Sequence, residues 1–260
     1  MTGKQKDSRR TALVDCDVLV YQCSFANQGT EYLQLSGDGE VVHTASSFFP
    51  ECTTCVHWTS GVSKLHLYID MTMEGIIKAV NATDYKCYLT GKGNFRETLA
   101  TWGKYKGGRS AKPRLYQDAR DYLIDRWDAE VVHGIEADDA MGIYQCNNDN
   151  TVICSIDKDL LMIPGDHYNF RKNEHMTIDH VTALRNFYRQ CLTGDPIDNI
   201  PGLRKWTGKN ATKAMKEALE EMETPAEMEG HVVDCYLGAG GTVEMFAETS
   251  QLLWILRRQR

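Results

Sequence analysis

Short apolar runs alternate along this chain with amphipathic segments at helical spacing. TALVDCD (11–17) predicts a buried strand and VLVYQCSFANQ (18–28) the helix after it. LQLSGDGEVVHT (33–44) alternates on both sides of a Gly-Asp-Gly turn and predicts a hairpin, whereas residues 52–70 show no clear period. MTMEGIIKAVNAT (71–83) predicts a helix, YKCYLT (85–90) a strand, Leu115–Trp127 a helix and AEVVHG (129–134) a strand. EADDAMGIYQC (136–146) then predicts a helix, TVICSI (151–156) and HYNF (167–170) strands, and IDHVTALRNFYRQC (178–191) a helix. Beyond Gly194 the pattern is helical, with Gly/Pro turns and a Glu-rich stretch at 216–229.

Strands alternating with helices predict an α/β fold with a mostly parallel central sheet flanked by helices. The expected organisation is a leader over 1–10, a main domain over 11–193 and a helical appendage over 194–260. The basic N-terminus superficially resembles a twin-arginine export signal, but Asp15 and Asp17 interrupt its apolar core, so a disordered leader is expected. No apolar run approaches the ~20 residues of a membrane span, so no membrane partner is expected. Nine scattered cysteines suit a reducing cytoplasm. Cys52, Cys55 and His57 lack the second pair of a zinc site and read as incidental thiols.

Acidic residues recur where strands end. Asp15 and Asp17 follow the first strand, Glu136, Asp138 and Asp139 follow AEVVHG, Asp157 and Asp159 follow TVICSI, and Asp195 and Asp198 open the tail. Any one of them alone would commonly be a helix N-cap. Together, at the sheet edge where α/β folds bind ligands, they predict one cleft. Converging carboxylates repel unless cations neutralise them, and an all-oxygen set suits Mg²⁺ or Mn²⁺, with two ions the expected number. These nine carboxylates account for more than the whole net charge of −7.

The opposite charge is also segregated. Arg96, Lys104, Lys106, Arg109, Lys112 and Arg114 face only Glu97 in their stretch, with Trp102, Tyr105 and Tyr116 interleaved. Such a segment binds phosphates through its cations and unpaired bases through its rings. In the tail, Asp198-Asn-Ile-Pro-Gly-Leu followed by Lys209-Asn-Ala-Thr-Lys reads as helix, turn at Pro201-Gly202, and a second helix from near Gly208.

These motifs jointly resemble the 5′→3′ exonuclease and flap endonuclease family, especially its small-phage members and the 5′-nuclease domain of bacterial DNA polymerase I. The specific pieces are YKGGR (105–109), GIEADD (134–139), SIDKDLL (155–161) and GDPIDNIPGL (194–203). The resemblance spans about 11–215, with 30–70 an insertion matching nothing. It implies a PIN/FEN-like sheet domain, a helical arch over 91–127 and a helix-hairpin-helix appendage. It implies that Asp15, Glu136 and Asp138 are metal ligands, with Asp139, Asp157, Asp159, Asp195 and Asp198 as further ligands or supporting carboxylates. Lys106 resembles the lysine on the scissile phosphate, Arg109 a second phosphate ligand and Tyr21 a stacking aromatic. Lys92, Arg96, Lys104, Tyr105, Gly202 and Lys209 are the remaining expected DNA contacts. The chain departs from the family at Thr90, where a metal-binding Asp is usual, and at Cys16, where Gly is usual. It also departs at Lys205-Trp206-Thr207, where a Gly-hydrophobic-Gly turn usually holds K⁺.

The implied activity is hydrolysis of phosphodiesters near 5′ ends or flaps of duplex or branched DNA, and of RNA primers in RNA–DNA hybrids, by a monomer in the host cytoplasm during phage replication. Two alternatives stand beside it. VDCDVLV also resembles the nucleophile strand of haloacid-dehalogenase phosphatases, with Asp15 phosphorylated and Asp17 as acid/base. Thr90 alternatively marks a degenerate module that holds branched DNA without cutting it.

Overall fold

Strand β1 (Thr11–Asp15) forms the middle of the molecule because its side chains are apolar on both faces. Ala12 and Val14 point into one core with Leu19, Leu65, Ile69 and Leu123, while Leu13 points into another with Met141, Ile153 and Ile255. Doubly buried parallel strands need such continuous apolar runs. The structure, a computed structural model, describes residues 9–259. Of the expected leader, residues 1–8 lie outside the described residues, while Arg10 is tied down, donating to Asp166 at 3.0 Å.

Helix α1 (Cys16–Ala26) leaves β1 at once and leads to a small antiparallel sheet. Its strands are β2 (Gln28–Leu35), β3 (Val41–Ala45) and β4 (Thr54–Thr59), in the order β3–β2–β4. The insertion over 30–70 is therefore mostly this sheet, with the expected hairpin as β2–β3. Helix α2 (Val62–Ala79) starts well before the residue 71 read from the sequence, because Leu65, Ile69, Met73 and Ile76 form one buried stripe.

The central sheet continues with β5 (Asp84–Thr90), β6 (Glu130–Val132), β7 (Thr151–Cys154), β8 (Gly165–Asn169) and β9 (Glu174–Ile178). Its order is β6–β5–β1–β7–β8–β9, parallel except for the β8–β9 pair. The chain departs to both sides of β1, so the crevice at the carboxyl ends of β5, β1 and β7 is the topological switch point.

The arch expected over 91–127 is helical only toward its ends. Helix α3 (Arg96–Leu99) is one turn, and α4 (Tyr116–Trp127) packs on the core through Ala119, Leu123 and Trp127. Between them Gly103, Gly107, Gly108 and Pro113 disfavour helix and the chain runs as a loop.

Helix α5 (Ala137–Asn147) lies on the face opposite α1, and α6 (His180–Thr193) leads into the helical tail. There α7 (Leu203–Thr207), α8 (Lys213–Glu217), α9 (Pro225–Gly238) and α10 (Val243–Leu253) build a second core with α6 around Phe187, Leu203, Val232, Tyr236 and Phe246. The expected second helix near Gly208 begins later. Gly208 (φ 77°) ends α7 in the left-handed conformation, and Thr212 caps α8 through Met215 N–H. Lys205, Trp206 and Thr207 form the last turn of α7, where the resembled family usually has its Gly-hydrophobic-Gly turn. Among the described residues no helix is long and apolar enough to cross a membrane.

Candidate active site

Most of the acidic residues lie just past strand ends, whereas Asp195 and Asp198 lie in the turn after α6. Asp15 closes β1 and caps α1, accepting from Val18 N–H at 3.1 Å and from the Ser155 hydroxyl at 2.7 Å. Ser155 Oγ also accepts from Asp157 N–H, so the ends of β1 and β7 are joined through one hydroxyl. Asp157 in turn accepts from Asp159 N–H at 2.8 Å. Asp195 turns the chain after α6, its Oδ1 accepting from Ile197 N–H at 2.7 Å and Asp198 N–H at 3.3 Å. Gly194 (φ 68°) and Gly202 close this turn; a Cβ on either would lie 2.3 Å from the other's backbone nitrogen.

The carboxylates feel one another. Burial, with Asp17 and Asp157 nearby, pushes Asp15 up to about 7. Burial and then Asp15, Asp157 and Glu136 hold Asp138 well above the ordinary carboxylate range. Asp157 is raised by burial and by Asp195 and Asp198, and Asp159 is pushed up to about 7 by burial, Asp157 and Asp195. Asp157 is therefore common to two groups, one with Asp15, Asp138 and Glu136, the other with Asp159, Asp195 and Asp198.

The basic loop supplies the counter-charge. Lys106 Nζ donates to Glu136 and lies 3.5 Å from Asp198, and Arg109 pairs with Asp198 at 2.5 Å. Burial alone would lower the Lys106 pKa; Glu136 and Asp198 outweigh it and raise it. Lys106 holds φ 56°, a left-handed conformation uncommon for a side-chain-bearing residue, fixed by its N–H donating to Asp198 C=O at 2.9 Å.

Two adjoining clefts meet at this point. The larger, about 910 Å³, is lined by Asp15, Glu136, Asp138 and Asp157 on one side and by Tyr21, Lys106 and Arg109 on the other. The second, about 570 Å³, carries Lys92, Lys112 and Arg120 and shares Asp17, Tyr21, Lys106 and Arg109 with the first. Tyr21 packs edge-on to Tyr116, with ring centroids 5.3 Å apart.

Several expected roles are corrected by this geometry. Asp139 is 0% exposed and its oxygens are fully used. They accept from Arg96 Nη1 at 2.7 Å, Arg96 Nη2 at 2.9 Å, Glu136 N–H at 3.0 Å and Leu256 N–H at 2.9 Å, leaving nothing for a metal. Arg96, expected on DNA, is 2% exposed and spends its other donors on the Leu252 and Trp254 carbonyls. Tyr105 is buried, its hydroxyl donating to Glu136 at 3.0 Å and Asp198 at 3.3 Å, so it positions carboxylates instead of facing DNA. Gly202 is buried against Gly194 and shapes the turn. Lys92, Lys104 and Lys209 are exposed, but of these only Lys92 lines either cleft.

Two contributors, Ser155 and Arg120, escaped the sequence reading. Ser155 joins two carboxylates, a role hidden in a motif whose acids drew the attention. Arg120 of α4 lies 3.3 Å from Asp17 and donates to the Thr90 carbonyl at 3.0 Å; nothing in its helix marks it. Thr90 itself is structural at both ends, its N–H donating to Asp17 at 3.0 Å and its hydroxyl accepting from Ala137 N–H at 2.9 Å. Asp17 thus stands beside Thr90.

The donor set suits a hard cation. It is all carboxylate oxygen, half-buried to buried, and its members raise one another's pKa, a repulsion that a divalent ion would relieve. Among the described residues no three acidic, His or Cys groups are gathered tightly enough to enclose an ion by themselves, and Lys106 stands between Glu136 and Asp198. An ion among these carboxylates would need further oxygen ligands from water or phosphate.

No protein-family model and no curated protein sequence matches this chain. Solved structures do. The bacteriophage T5 D15 protein co-crystallised with metal ions aligns with a TM-score of 0.58 at 13% identity, over 94% of this chain and 89% of its own. A bacteriophage T5 D15 flap endonuclease variant, in a pseudo-enzyme-product complex with DNA and metal ions, aligns with a TM-score of 0.59 at 13% identity over the same shares. The chain therefore shares the fold of these phage proteins along nearly its whole length.

Proposed function

We propose that this chain is a metal-dependent 5′→3′ exonuclease with flap endonuclease character, acting on 5′ ends of duplex or branched DNA and on RNA primers during phage replication. The observation that carries it is the meeting, in one cleft, of strand-end carboxylates with two cations from the basic loop. The shared fold with a T5 protein complexed with DNA and metal ions supports the same reading.

Asp15, Glu136, Asp138 and Asp157 would hold a divalent cation, with Asp159, Asp195 and Asp198 serving a second. Bound there, such ions supply an ionised water and charge neutralisation at the phosphorus. Lys106 and Arg109 would leave their carboxylate partners for the non-bridging oxygens of the scissile phosphate, stabilising the charge that grows as the P–O bond breaks. Tyr21 would stack on the adjoining base. Tyr105 and Ser155 hold the carboxylates in register from behind.

The phospho-aspartyl alternative gains nothing from the geometry, because Asp17 is held by Thr90 N–H and Arg120 rather than standing free to shuttle protons. The test is a 5′-flapped duplex labelled at each end, incubated with Mg²⁺, Mn²⁺ or EDTA. Metal-dependent cuts at the 5′ junction leaving 3′-hydroxyls are expected. Binding without products would make the protein a degenerate branched-DNA module, and neither binding nor cleavage would overturn the reading.

A further inference from the structure

The carboxylate cleft adjoins a side chamber whose apolar residues, Phe25 and Ile197, have no part in the reading above. It measures about 440 Å³, within the range of ligand pockets, and lies between the last turn of α1 and the Pro196-Ile197 turn. Its lining includes two large apolar side chains, Phe25 and Ile197, which are 52% and 71% exposed. Large apolar side chains left in water around one cavity mark a binding surface more than isolated exposed residues do.

Both side chains are preorganised. Phe25 stacks on Tyr21 with ring centroids 6.2 Å apart and planes 28° from parallel, so the two rings form a continuous step along α1. Ile197 sits on a turn braced at several points. Its N–H donates to Asp195 Oδ1, Asp195 and Ile200 exchange backbone hydrogen bonds of 3.0 and 2.8 Å, and Gly194 abuts Gly202. The floor of the chamber includes Arg109, and Tyr21, Phe25 and Arg109 line the main cleft as well.

We infer that this chamber receives an unpaired nucleobase of the substrate strand, held flat between Phe25 and Ile197 while its neighbouring phosphate rests on Arg109. The inference builds on the proposed nuclease reading. An apolar slot opening beside a guanidinium matches the alternation of flat base and anionic phosphate along a single strand. A small anion would leave Phe25 and Ile197 in water, and a purely apolar partner would make no use of the guanidinium that Asp198 holds at the chamber.

The test uses the full-length protein and a 5′-flapped DNA duplex in EDTA, with 2-aminopurine placed in turn at each flap nucleotide and at the first paired nucleotides. Binding should quench one position severalfold besides the one that Tyr21 stacks. Phe25→Ala should abolish that quenching and weaken binding about ten-fold, the size expected for one base–aromatic stack. Phe25→Tyr should retain it, and Ile197→Ser should reduce it. An abasic site at the same nucleotide should weaken binding as much as Phe25→Ala, and the two changes should not add. Quenching that survives Phe25→Ala, or full additivity of the two losses, would overturn the slot while leaving the nuclease reading intact. Wild-type protein that does not bind the flapped duplex at all would overturn both.

Discussion

Replacing Asp139 with Asn separates a structural carboxylate from its metal-binding neighbours. Asp139→Asn removes the charge opposite Arg96 and turns one of four accepting contacts into a donor facing donors. Both side chains are buried almost completely, so the guanidinium loses its hydrogen-bonded counter-ion in a dry site and keeps only Glu136, 3.7 Å away. Breaking a buried pair from one side costs about 3–5 kcal/mol. For a chain of this size each kcal/mol moves the midpoint by roughly 2–4 °C, so a fall of about 10 °C is expected. The assay is thermal melting in EDTA and again with Mn²⁺ at pH 8. Asp139→Asn should melt early in both, with the metal-induced rise preserved. Asp157→Asn should do the reverse: it relieves repulsion, so the metal-free protein melts no lower than wild type, but the rise with Mn²⁺ shrinks. An Asp139→Asn protein of normal stability that no longer responds to Mn²⁺ would refute the assignment and return Asp139 to the ligands.

Lys106→Ala should lower single-turnover cleavage by 10²-fold or more with little change in DNA affinity, as for loss of a transition-state donor; a change in affinity alone would make it a simple phosphate anchor. Asp15 and Asp159 are both raised to about 7, so the folded state holds their protons more tightly than the unfolded chain does. Their contribution to metal-free stability is then fully present below pH ~4 and lost as pH rises through 7. Melting curves in EDTA from pH 5 to 8 should show that loss, reduced in Asp15→Asn, and Mg²⁺ should reverse it at pH 8. Gly202→Ala would bring a Cβ within 2.3 Å of the Gly194 backbone nitrogen, so a destabilisation of about 3 kcal/mol is expected, read by urea unfolding, with loss of cleavage as the Asp195–Asp198 turn shifts.

What could be read in the sequence follows from burial. The strands at 11–15, 84–90 and 151–154 announce themselves because both their faces are covered, which demands continuous apolar runs. β4 is exposed at every position and β9 is an edge strand, so neither carries a one-sided pattern to read. The acidic cluster was visible for a different reason, since strand ends are fixed in space even when the helices between them are not.

Charge gives a sign but not a direction, and that is where reading from the sequence stops. Asp138 and Asp139 are adjacent, about 100° apart on the first turn of α5, so when one faces the cleft the other turns toward the interior. Arg96 belongs by composition to the basic stretch, yet Arg96 and Asp139 find each other beneath the cleft. Their pair joins the start of the basic loop, the N-terminus of α5, and the end of α10 with the segment after it, through the Leu252, Trp254 and Leu256 backbone. Glu136 is held from below by that pair through its N–H and from above by Tyr105 and Lys106. The carboxylate that meets Lys106 is therefore positioned by residues distant in the chain, and a change at 252–256 should displace it although that segment lines neither cleft.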